Sequence, residues 1–531
     1  MPGTICTFVT MDRMGAAGLL LPPTLATVAA LLRAEPFLLT SPVGMPLRMV
    51  FTGVGRFTGA GSAGSGKTIL AAQFLAEGVA KNGESGVFVT FEEPPQAIRQ
   101  NLASLGWDIM QWEAEGKWAF VDASPQVGEE ASMIVGNYDM GALLARVEHA
   151  VRDIHASRIS LDSLGAVFTR FGDSKTVRNE LFRITATLRE LELTALLTAE
   201  RVDEYGGISR QGVEDFVADN VIVLRNVLED EKRRRTIEIL KYRGASHQKG
   251  EFPFTIVPGQ GFVVIPLSEI DLEYESTDLR ITSGSEEMDR MCGGGFYRDS
   301  IILVSGATGT GKTLMGTEFI AGGVHNHERC LLFAFEESRE QFFRNAAGWG
   351  VDLRPMEQAG YLKVVCEYPE VSGLEDKLLK MRNVLQEFQP QRVAIDSLSA
   401  LERVSTKKSF REFVLGITSD LKQRKTAGLF TSTAPTLLGG ESVTEAHIST
   451  LTDSIILLRY VEIFGEMRRG LTVLKMRGSQ HDKNIREFTI DGQGMHIGQP
   501  FRNVGGILAG HPTQFDIPEV SRLQGMFSGD Q

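Results

Sequence analysis

The same eight-residue pattern occurs twice in this chain, as Gly61-Ser62-Ala63-Gly64-Ser65-Gly66-Lys67-Thr68 and as Gly306-Ala307-Thr308-Gly309-Thr310-Gly311-Lys312-Thr313. Both stretches satisfy G-x-x-x-x-G-K-[ST], the pattern of a phosphate-binding loop. In such a loop the glycines let successive backbone N–H groups surround phosphate oxygens. The lysine reaches the outer phosphates, and the threonine hydroxyl ligates Mg²⁺. We therefore predict one nucleotide site in each half of the chain.

The two loops are the first matched positions of a longer internal repeat. Behind each loop come a helical pattern, a strand that ends in two glutamates, a Gly-Trp pair, an apolar strand that ends in aspartate, and a Lys-x-Arg pair. The matched residues are Glu92-Glu93 and Glu336-Glu337, Gly106-Trp107 and Gly348-Trp349, Asp162 and Asp396, and Lys241/Arg243 and Lys475/Arg477. Their separation falls from 245 residues at the loop lysines to 234 at the last pair. Insertions and deletions in surface loops leave such slippage after a duplication.

Short apolar strands alternate with amphipathic helices in both halves. This order predicts a mostly parallel β-sheet with helices on both faces. We therefore predict the α/β class, with two doubly wound domains in tandem. The acidic stretch 268–278 is part of the predicted linker between them.

The composition is that of an ordinary globular protein. The 531 residues carry a net charge of −12, which gives no general attraction for nucleic acid. We interpret the local basic run Lys232-Arg233-Arg234-Arg235 as a solvated turn between two strands. The widely spaced cysteines, Cys6, Cys292, Cys330 and Cys366, fit reduced thiols better than a disulfide framework or a metal site. Two prolines interrupt the uncharged stretch 15–32, so we expect a cytoplasmic protein.

Carboxylates follow two strands in each half, at the edge where open α/β sheets bind ligands. The aspartates suit a carboxylate that holds the water shell of Mg²⁺; alternatively, each caps the next turn. The paired glutamates can orient and deprotonate an attacking water or hydroxyl; alternatively, they are acidic residues favoured by a helix dipole. Because both features recur, we predict catalysis by Glu92, Glu93, Glu336 and Glu337 and metal ligation by Thr68, Asp162, Thr313, Asp396 and Glu336.

The Lys-x-Arg pairs lie on late strands, far along the chain from the loops. They could cover an exposed sheet edge. They could instead reach a nucleotide held by a neighbouring subunit, where an arginine stabilises transition-state charge. The residues alone leave both interpretations open.

Three strings resemble a known family: Phe88-Val89-Thr90-Phe91-Glu92-Glu93, Met291-Cys292-Gly293-Gly294-Gly295-Phe296 and His447-Ile448-Ser449-Thr450. From about Gly61 to Thr513 the chain resembles the KaiC family, duplicated RecA-like ATPases and autokinases of the cyanobacterial clock. The resemblance implies two tandem RecA-like P-loop NTPase domains, a double-ring homohexamer, and ATP with Mg²⁺ bound between adjacent subunits. It also implies slow ATP hydrolysis in the first ring. In the second ring it implies phosphorylation of a neighbour on adjacent Ser and Thr.

The resemblance also assigns site residues. The first-ring site would comprise Lys67, Thr68, Glu92, Glu93 and Asp162, and the second-ring site Lys312, Thr313, Glu336, Glu337 and Asp396. Lys241, Arg243, Lys475 and Arg477 would arrive from the adjacent protomer. The phosphoacceptors would be Ser449 and Thr450, with Thr444 as a third hydroxyl nearby; alternatively, Ser449 and Thr450 only satisfy backbone groups near a turn. At the same offset the first half has Asp215, Phe216 and Arg210, so we assign the kinase to the second half alone.

The predicted organisation is an atypical N-terminal segment at 1–48 (disordered, or a mispredicted start), a first KaiC/RecA-like ATPase domain at 49–264, a linker at 265–280, a second autokinase domain at 281–505 and a tail at 506–531. Phe57-Thr58-Gly59-Ala60, just before the first loop, is predicted to be too glycine-rich and short for a buried strand. Whether the first loop works therefore stays open. Glu445 follows Thr444 where the family usually has aspartate, so the phosphate cycle is open to differences.

The resemblance suggests a KaiB-like partner and, as an output partner, a histidine kinase or response regulator. The short stretch after Thr513 argues against dependence on KaiA. Neither a membrane nor nucleic acid is an expected partner. Two other functions remain open, because a fold does not fix a function: a RecA-like DNA-dependent recombinase or motor, and a scaffold ring assembled by ATP.

Overall fold

The computed structural model describes residues 37–40, 46–49, 56–124, 140–168, 174–201, 203–205, 218–229, 232–243, 246–265, 276–434, 448–463, 465–502, 504–507 and 513–514. The strands of the first half are β1 (Phe37–Thr40), β2 (Pro46–Met49), β3 (Arg56–Gly61), β4 (Gly86–Thr90), β5 (Trp118–Asp122), β6 (Arg158–Asp162), β7 (Thr194–Glu200), β8 (Asn220–Glu229), β9 (Lys232–Tyr242), β10 (Glu251–Val257) and β11 (Gly261–Val264). Its helices are α1 (Lys67–Glu77), α2 (Pro95–Ala103), α3 (Ile109–Ala114), α4 (Met140–Asp153), α5 (Leu164–Phe168) and α6 (Ser174–Glu190). A π-helical turn, Gly78–Asn82, extends α1.

The second half repeats this succession of strands and helices. Its strands are β12 (Arg280–Ile281), β13 (Phe296–Tyr297), β14 (Ile301–Gly306), β15 (Cys330–Ala334), β16 (Leu362–Cys366), β17 (Arg392–Asp396), β18 (Ala427–Thr433), β19 (Ser454–Ile463), β20 (Glu466–Met476), β21 (Arg486–Asp491), β22 (Gly494–Pro500), β23 (Val504–Gly505) and β24 (Thr513–Gln514). Its helices are α7 (Glu286–Met291), α8 (Lys312–His325), α9 (Arg339–Gly348), α10 (Leu353–Gln358), α11 (Leu374–Phe388), α12 (Leu398–Arg403) and α13 (Lys407–Gln423), with a 3₁₀ turn at Ile448–Thr450.

Each half builds a nine-stranded sheet, and the two sheets share one strand order. In the first sheet the order is β11-β10-β9-β8-β3-β7-β6-β4-β5, and in the second it is β22-β21-β20-β19-β14-β18-β17-β15-β16. The strands from β8 to β5 and from β19 to β16 are parallel, and the remaining strands are antiparallel. Apolar clusters cover both faces of each sheet. The predicted fold class, two mostly parallel α/β domains in tandem, is confirmed. The boundary at 265–280 stays a prediction.

The prediction that Phe57-Thr58-Gly59-Ala60 is unfit for a buried strand is wrong. These residues lie in β3, at the centre of the first sheet, and they are buried. The parallel neighbours β7 and β8 pair with both edges of β3. A Cβ on Gly59 would meet Leu70 at 3.7 Å and Leu196 at 4.0 Å, so their side chains fill the space that the glycine leaves. Strand preference depends on such neighbours more than on local composition.

The interpretation of the basic run as a solvated turn is also wrong. Lys232 to Arg235 form the start of β9, and the Arg234 side chain is only 8% exposed. Its guanidinium forms ion pairs with Glu375 of α11 (Nε to Oε1, 2.9 Å) and with Glu412 of α13. The run therefore connects the first domain to two helices of the second, and those partners lie far along the chain.

Two further expectations concern the whole chain. Within the described ranges no helix is both long and apolar enough to cross a membrane. Cys292, Cys330 and Cys366 are free thiols, as predicted, and burial raises the pKa of Cys292 to about 12. Cys6 and the stretch 15–32 lie outside the described residues.

One position of the loop-bearing helices differs between the domains in a way that predicts a pH effect. In α1, Gln73 bonds the backbone of Phe262, accepting from its N–H (2.6 Å) and donating to its C=O (3.2 Å). Its counterpart in α8 is Glu318, whose Oε1 accepts from Met495 N–H at 2.7 Å. Burial raises the pKa of Glu318 to about 7, although the Met495 bond and His496, itself bonded to Asp491, act against this shift.

We expect the second domain to lose stability as pH rises through about 7, because the native state holds the Glu318 proton more tightly than the unfolded chain. Glu318→Gln should remove this loss. The free energy of unfolding of the variant, relative to that of wild type, should rise by about 2 kcal/mol as the pH increases from about 5 to about 8. Hydrogen exchange of α8 during urea denaturation, repeated at each pH, measures this difference in stability. Gln73→Glu is the matched control, because it should create the same pH dependence in α1. A gain that does not grow with pH would contradict the prediction.

Candidate nucleotide sites

The first phosphate loop joins β3 to α1 by a turn that only glycine allows. A Cβ on Gly61 would lie 2.3 Å from a serine hydroxyl inside the loop. Gly64 and Gly66 take φ values of 71° and 92°, in the left-handed region that glycine favours. Lys67 folds back over the loop and donates from Nζ to the carbonyl of Ser62 at 2.9 Å. The loop is therefore closed around its own lysine.

The second phosphate loop has the same geometry. A Cβ on Gly306 would lie 2.5 Å from the carbonyl oxygen of Leu458 in β19. Gly309 and Gly311 have φ values of 80° and 107°, and Lys312 Nζ donates to the Ala307 carbonyl at 2.9 Å. The structure thus brings the predicted nucleotide contacts of each loop into one turn, in both domains alike.

A cavity of about 680 Å³ opens beside the first loop, within the usual size range of ligand pockets. Lys67, Thr68 and Glu93 contribute to its wall, together with Ile98 of α2 and Ile256 of β10. Because the predicted phosphate-binding groups line it, this cavity can receive a nucleotide.

The predicted metal-binding aspartates end their strands directly under the loops. Thr68 Oγ1 donates to Asp162 Oδ2 at 2.7 Å, and Thr313 bonds Asp396 in the same way. Burial raises the pKa of both aspartates, against the threonine hydrogen bonds that lower it. In the described ranges no three His, Cys, Asp or Glu side chains converge on one point. A threonine hydroxyl beside a single carboxylate fits Mg²⁺, which keeps several waters and also binds substrate phosphates.

The first glutamate of each pair contacts the serine that follows the metal-binding aspartate, whereas Glu93 lines the cavity beside the first loop. Glu92 Oε1 accepts from Ser163 Oγ at 3.3 Å, and Glu336 Oε2 accepts from Ser397 Oγ at 3.0 Å. These serines directly follow the aspartates, each after a cis peptide bond. The first glutamate of each pair therefore lies beside the metal-binding position. Glu337 instead accepts from Asn345 of α9 at 3.0 Å.

Electrostatics at the first glutamates differ between the domains. Burial raises the pKa of Glu92, and the nearby Glu200 raises it further. Where the first sheet has Glu200, paired with Gly61, the second has Thr433, paired with Gly306. In the second domain Glu336 also forms an ion pair with Arg403 of α12, and the Arg403 side chain is 62% exposed. Glu92 is therefore favoured as a proton acceptor, whereas Glu336 is held by the Arg403 cation.

The Lys-x-Arg residues do not meet the loop of their own domain. Lys475 Nζ donates to the Thr452 carbonyl (2.7 Å), and the Arg477 N–H donates to the Asp453 carbonyl (2.9 Å). These contacts lie where β14 begins, whereas the loop begins where β14 ends. The six residues of β14 are separated by five steps of about 3.3 Å, which put the two ends about 17 Å apart. Lys241 and Arg243 occupy the matching edge of the first sheet, with Lys241 Nζ bonded to the Ala218 carbonyl (2.8 Å).

The described phosphoacceptor positions lie at the same edge as these cations. Ser449 and Thr450 belong to the 3₁₀ turn before β19, Thr450 is exposed, and Arg477 Nη2 donates to its carbonyl oxygen at 3.0 Å. Thr444, Glu445 and the matched first-half positions Asp215, Phe216 and Arg210 lie outside the described residues.

Sequence reasoning missed a second pair of arginines beside the loops. Arg235 lines the first cavity, and its Nε donates to the Gly64 carbonyl at 3.3 Å. Its counterpart, Arg469, stacks over Tyr460 at 5.7 Å from the ring centroid. The Tyr460 hydroxyl would lie 2.8 Å from a Cβ on Gly309. The 234-residue offset relates Arg235 to Arg469 and could have identified both.

Comparison with known proteins agrees with this geometry. The family model described as "ATPase: KaiC" matches residues 57–269 and again residues 281–501. The circadian clock protein KaiC3 of Synechocystis sp. (strain ATCC 27184 / PCC 6803 / Kazusa) is 70% identical over 468 residues, which cover 88% of this chain and 92% of the relative. The circadian clock oscillator protein KaiC of Synechococcus elongatus is 50% identical over 471 residues, covering 89% and 90%. The chain therefore belongs to the KaiC family of ATPases and carries the ATPase domain of that family twice.

Proposed function

We propose that this chain is a Mg-ATP-dependent ATPase and serine/threonine autokinase of a circadian clock or a related timing or stress-signalling system. One observation carries the proposal. In each domain the loop, the aspartate and the first glutamate lie where the parallel strands end, which we call the loop edge of the sheet. The Lys-x-Arg pair lies where these strands begin, which we call the acceptor edge. A complete site therefore needs the two edges to come from two copies of the chain.

In the first domain the residues support hydrolysis. Lys67 lies within the loop where it can contact the outer phosphates, and Thr68 lies beside Asp162. Glu92, with its raised pKa, can take a proton from an attacking water. Lys241 and Arg243 of a neighbouring copy would add positive charge to the transferring phosphoryl group. We propose ATP hydrolysis as the reaction of this domain.

In the second domain the same parts face a protein hydroxyl. Mg²⁺, bound with ATP at Thr313 and Asp396, would neutralise charge on the phosphates. Glu336 accepts the hydroxyl proton of Ser449 or Thr450 presented by the neighbouring copy, once Arg403 releases its carboxylate. Lys475 and Arg477 arrive on the same edge as the acceptors and stabilise the transferring group. We propose phosphorylation across subunits as the reaction of this domain.

This arrangement is head-to-tail, because each copy offers a loop edge to one neighbour and an acceptor edge to the other, and such contacts form a ring when the rotation between copies closes. We propose the double-ring homohexamer that the family resemblance implies. A KaiB-like partner and a histidine-kinase or response-regulator output partner remain part of the proposal. The comparisons with KaiC relatives do not favour the DNA-dependent motor. Hexamers that form with nucleotide but show no hydrolysis would favour the scaffold ring.

Incubation with Mg-ATP followed by peptide mass spectrometry tests the proposal. We expect phosphate on Ser449 or Thr450 in wild type. Glu336→Gln should lower its rate of appearance at least about 10²-fold, because amide nitrogen and oxygen cannot take the hydroxyl proton. Glu337→Gln is the matched control and should lower the rate less, since Glu337 bonds Asn345 instead. Absence of phosphate from both residues in every nucleotide condition would falsify the kinase proposal.

A further inference from the structure

An aspartate faces the arginine of the Lys-x-Arg pair in both domains. Asp219 Oδ1 lies 3.5 Å from Arg243 Nη1, and Asp453 Oδ1 lies 3.6 Å from Arg477 Nη1. Both aspartates immediately precede a strand, β8 or β19, and they are separated by the same 234 residues as the arginines. The contact thus survived a duplication after which another position diverged, where the first domain has the charged Glu200 and the second has the uncharged Thr433.

Asp453 is fixed in place by more contacts than an ordinary surface carboxylate. Its Oδ2 accepts from the Ile301 N–H at 2.9 Å, at the first residue of β14. Lys422 Nζ donates to its Oδ1 at 3.0 Å, and its side chain is only 16% exposed. Because Lys422 shares its charge, Asp453 holds Arg477 without fully neutralising it.

Arg477 contacts both this carboxylate and the 3₁₀ turn Ile448–Thr450, which contains the predicted phosphoacceptors. Its Nη2 donates to the Thr450 carbonyl at 3.0 Å, while its side chain remains 55% exposed. Asp453, Lys422 and Arg477 also line a cavity of about 410 Å³ at this edge of the sheet. The guanidinium is therefore oriented by two contacts but keeps donors for a further anion.

An ion pair of this length on a half-exposed arginine contributes little to folding stability. Its recurrence therefore needs another reason, and the orientation of a cation that must meet phosphate supplies one. Groups that orient a reacting side chain are needed as much as the side chain itself, because small displacements weaken transition-state contacts.

We propose that Asp453 is a positioning residue for phosphoryl transfer between subunits, holding Arg477 and, through it, the Thr450 backbone where a neighbouring copy presents its nucleotide. Asp219 holds Arg243 in the same way for the first ring. This inference rests on the proposed function, since it requires Thr450 to be phosphorylated across subunits.

The first test compares Asp453→Asn with wild type in the assembled protein. The amide keeps its shape and can still accept from Ile301, but it no longer attracts Arg477. We expect phosphorylation of Thr450 to slow about tenfold while the KM for ATP changes by less than about twofold. Asp299→Asn is the matched control: it removes a carboxylate from the same cavity, one that bonds Ser276 rather than Arg477, and should keep the wild-type rate.

The second test mixes Asp453→Asn chains with Glu336→Gln chains that carry a mass tag. Each Asp453→Asn chain has a working loop edge, and each Glu336→Gln chain has a working acceptor edge. If Asp453 serves the neighbour's site, Thr450 of the tagged chains gains phosphate at close to the wild-type rate, whereas Thr450 of the untagged chains keeps the rate that is about tenfold slower. If Asp453 merely supports β14 and its own loop, the tagged chains gain phosphate about tenfold more slowly than wild type, and the inference is overturned.

Controls separate this inference from the proposed function. Wild type without phosphate on Ser449 and Thr450 would refute the function itself. Phosphorylated wild type with an equally fast Asp453→Asn variant would refute the positioning role alone. If Asp453→Asn rings do not assemble, Asp453→Glu replaces it in both tests; its displaced carboxylate should give the same pattern with a smaller loss.

Discussion

Lys312→Ala is expected to lower phosphorylation of Thr450 about 10³-fold, the loss seen when a preorganised charged or hydrogen-bonding group is removed from a transition state. Lys312 is buried in its loop, where its Nζ bonds the Ala307 carbonyl at 2.9 Å. Burial lowers the pKa of this ammonium, whereas Asp396 and Glu336 raise it, so the cation lies in the phosphate loop close to both carboxylates. In water-poor surroundings such a charge acts strongly on the transferring phosphoryl group.

Lys67→Ala is the matched variant, because it removes the same group from the first loop. It should abolish most of the ATP hydrolysis of the first ring and leave Thr450 phosphorylation within about threefold of wild type, since the second loop is intact. Steady-state ATPase assays and phosphopeptide quantification on both variants separate the two reactions. If Lys67→Ala removes the phosphate and Lys312→Ala does not, the assignment of the kinase to the second domain is wrong.

Features that depend on local sequence were predicted correctly. The loop pattern specifies its own turn, because Gly61, Gly306 and the positive-φ glycines are needed by contacts within a few residues or by the adjoining strand. The order of strands and helices likewise follows from periodicity and from the rules for parallel sheets. The mostly parallel sheet with helices on both faces therefore follows from the sequence, whereas the order of the strands within each sheet depends on their pairing.

Features that depend on distant partners were not. Gly59 lies in a central strand only because β7 and β8 bond both its edges, and neither strand is near it in sequence. Arg234 is buried because Glu375 and Glu412 meet it across the domain boundary. A pattern of residues on one strand contains no signal for either contact.

The catalytic assignment lies between these cases. Sequence placed Glu92 and Glu93 at the correct edge but could not distinguish them, because the distinction rests on Ser163 reaching only the first. For Arg477 it left two readings open. The strand order shows that this arginine lies a full strand length from its own loop, which supports the reading in which it serves a neighbouring copy.

Arg234→Met is expected to cost roughly 3–5 kcal/mol of the free energy that holds the two domains together, the loss typical when one partner of a buried ion pair is removed. Burial works against the charged guanidinium, but Glu412 and Glu375 raise the pKa of Arg234 above its usual range, so it is charged at all working pH values. Its removal leaves two carboxylates facing each other without a cation, at the junction of β9, α11 and α13.

The variant should expose α11 and α13 to solvent before the rest of the second domain, so hydrogen exchange of these helices is the measurement. Arg233→Met is the matched control. That neighbouring arginine is exposed and bonds the Asn226 carbonyl within its own hairpin, so its loss should change stability by less than about 0.5 kcal/mol. A double-mutant cycle with Glu412→Gln isolates the charge interaction from packing. Because Glu412→Gln relieves the uncompensated carboxylate, the double variant should be more stable than Arg234→Met alone. Equal exchange in Arg234→Met and Arg233→Met would mean that the apolar contact of Val263 and Ile265 with α11 and α13, rather than this ion pair, holds the domains together.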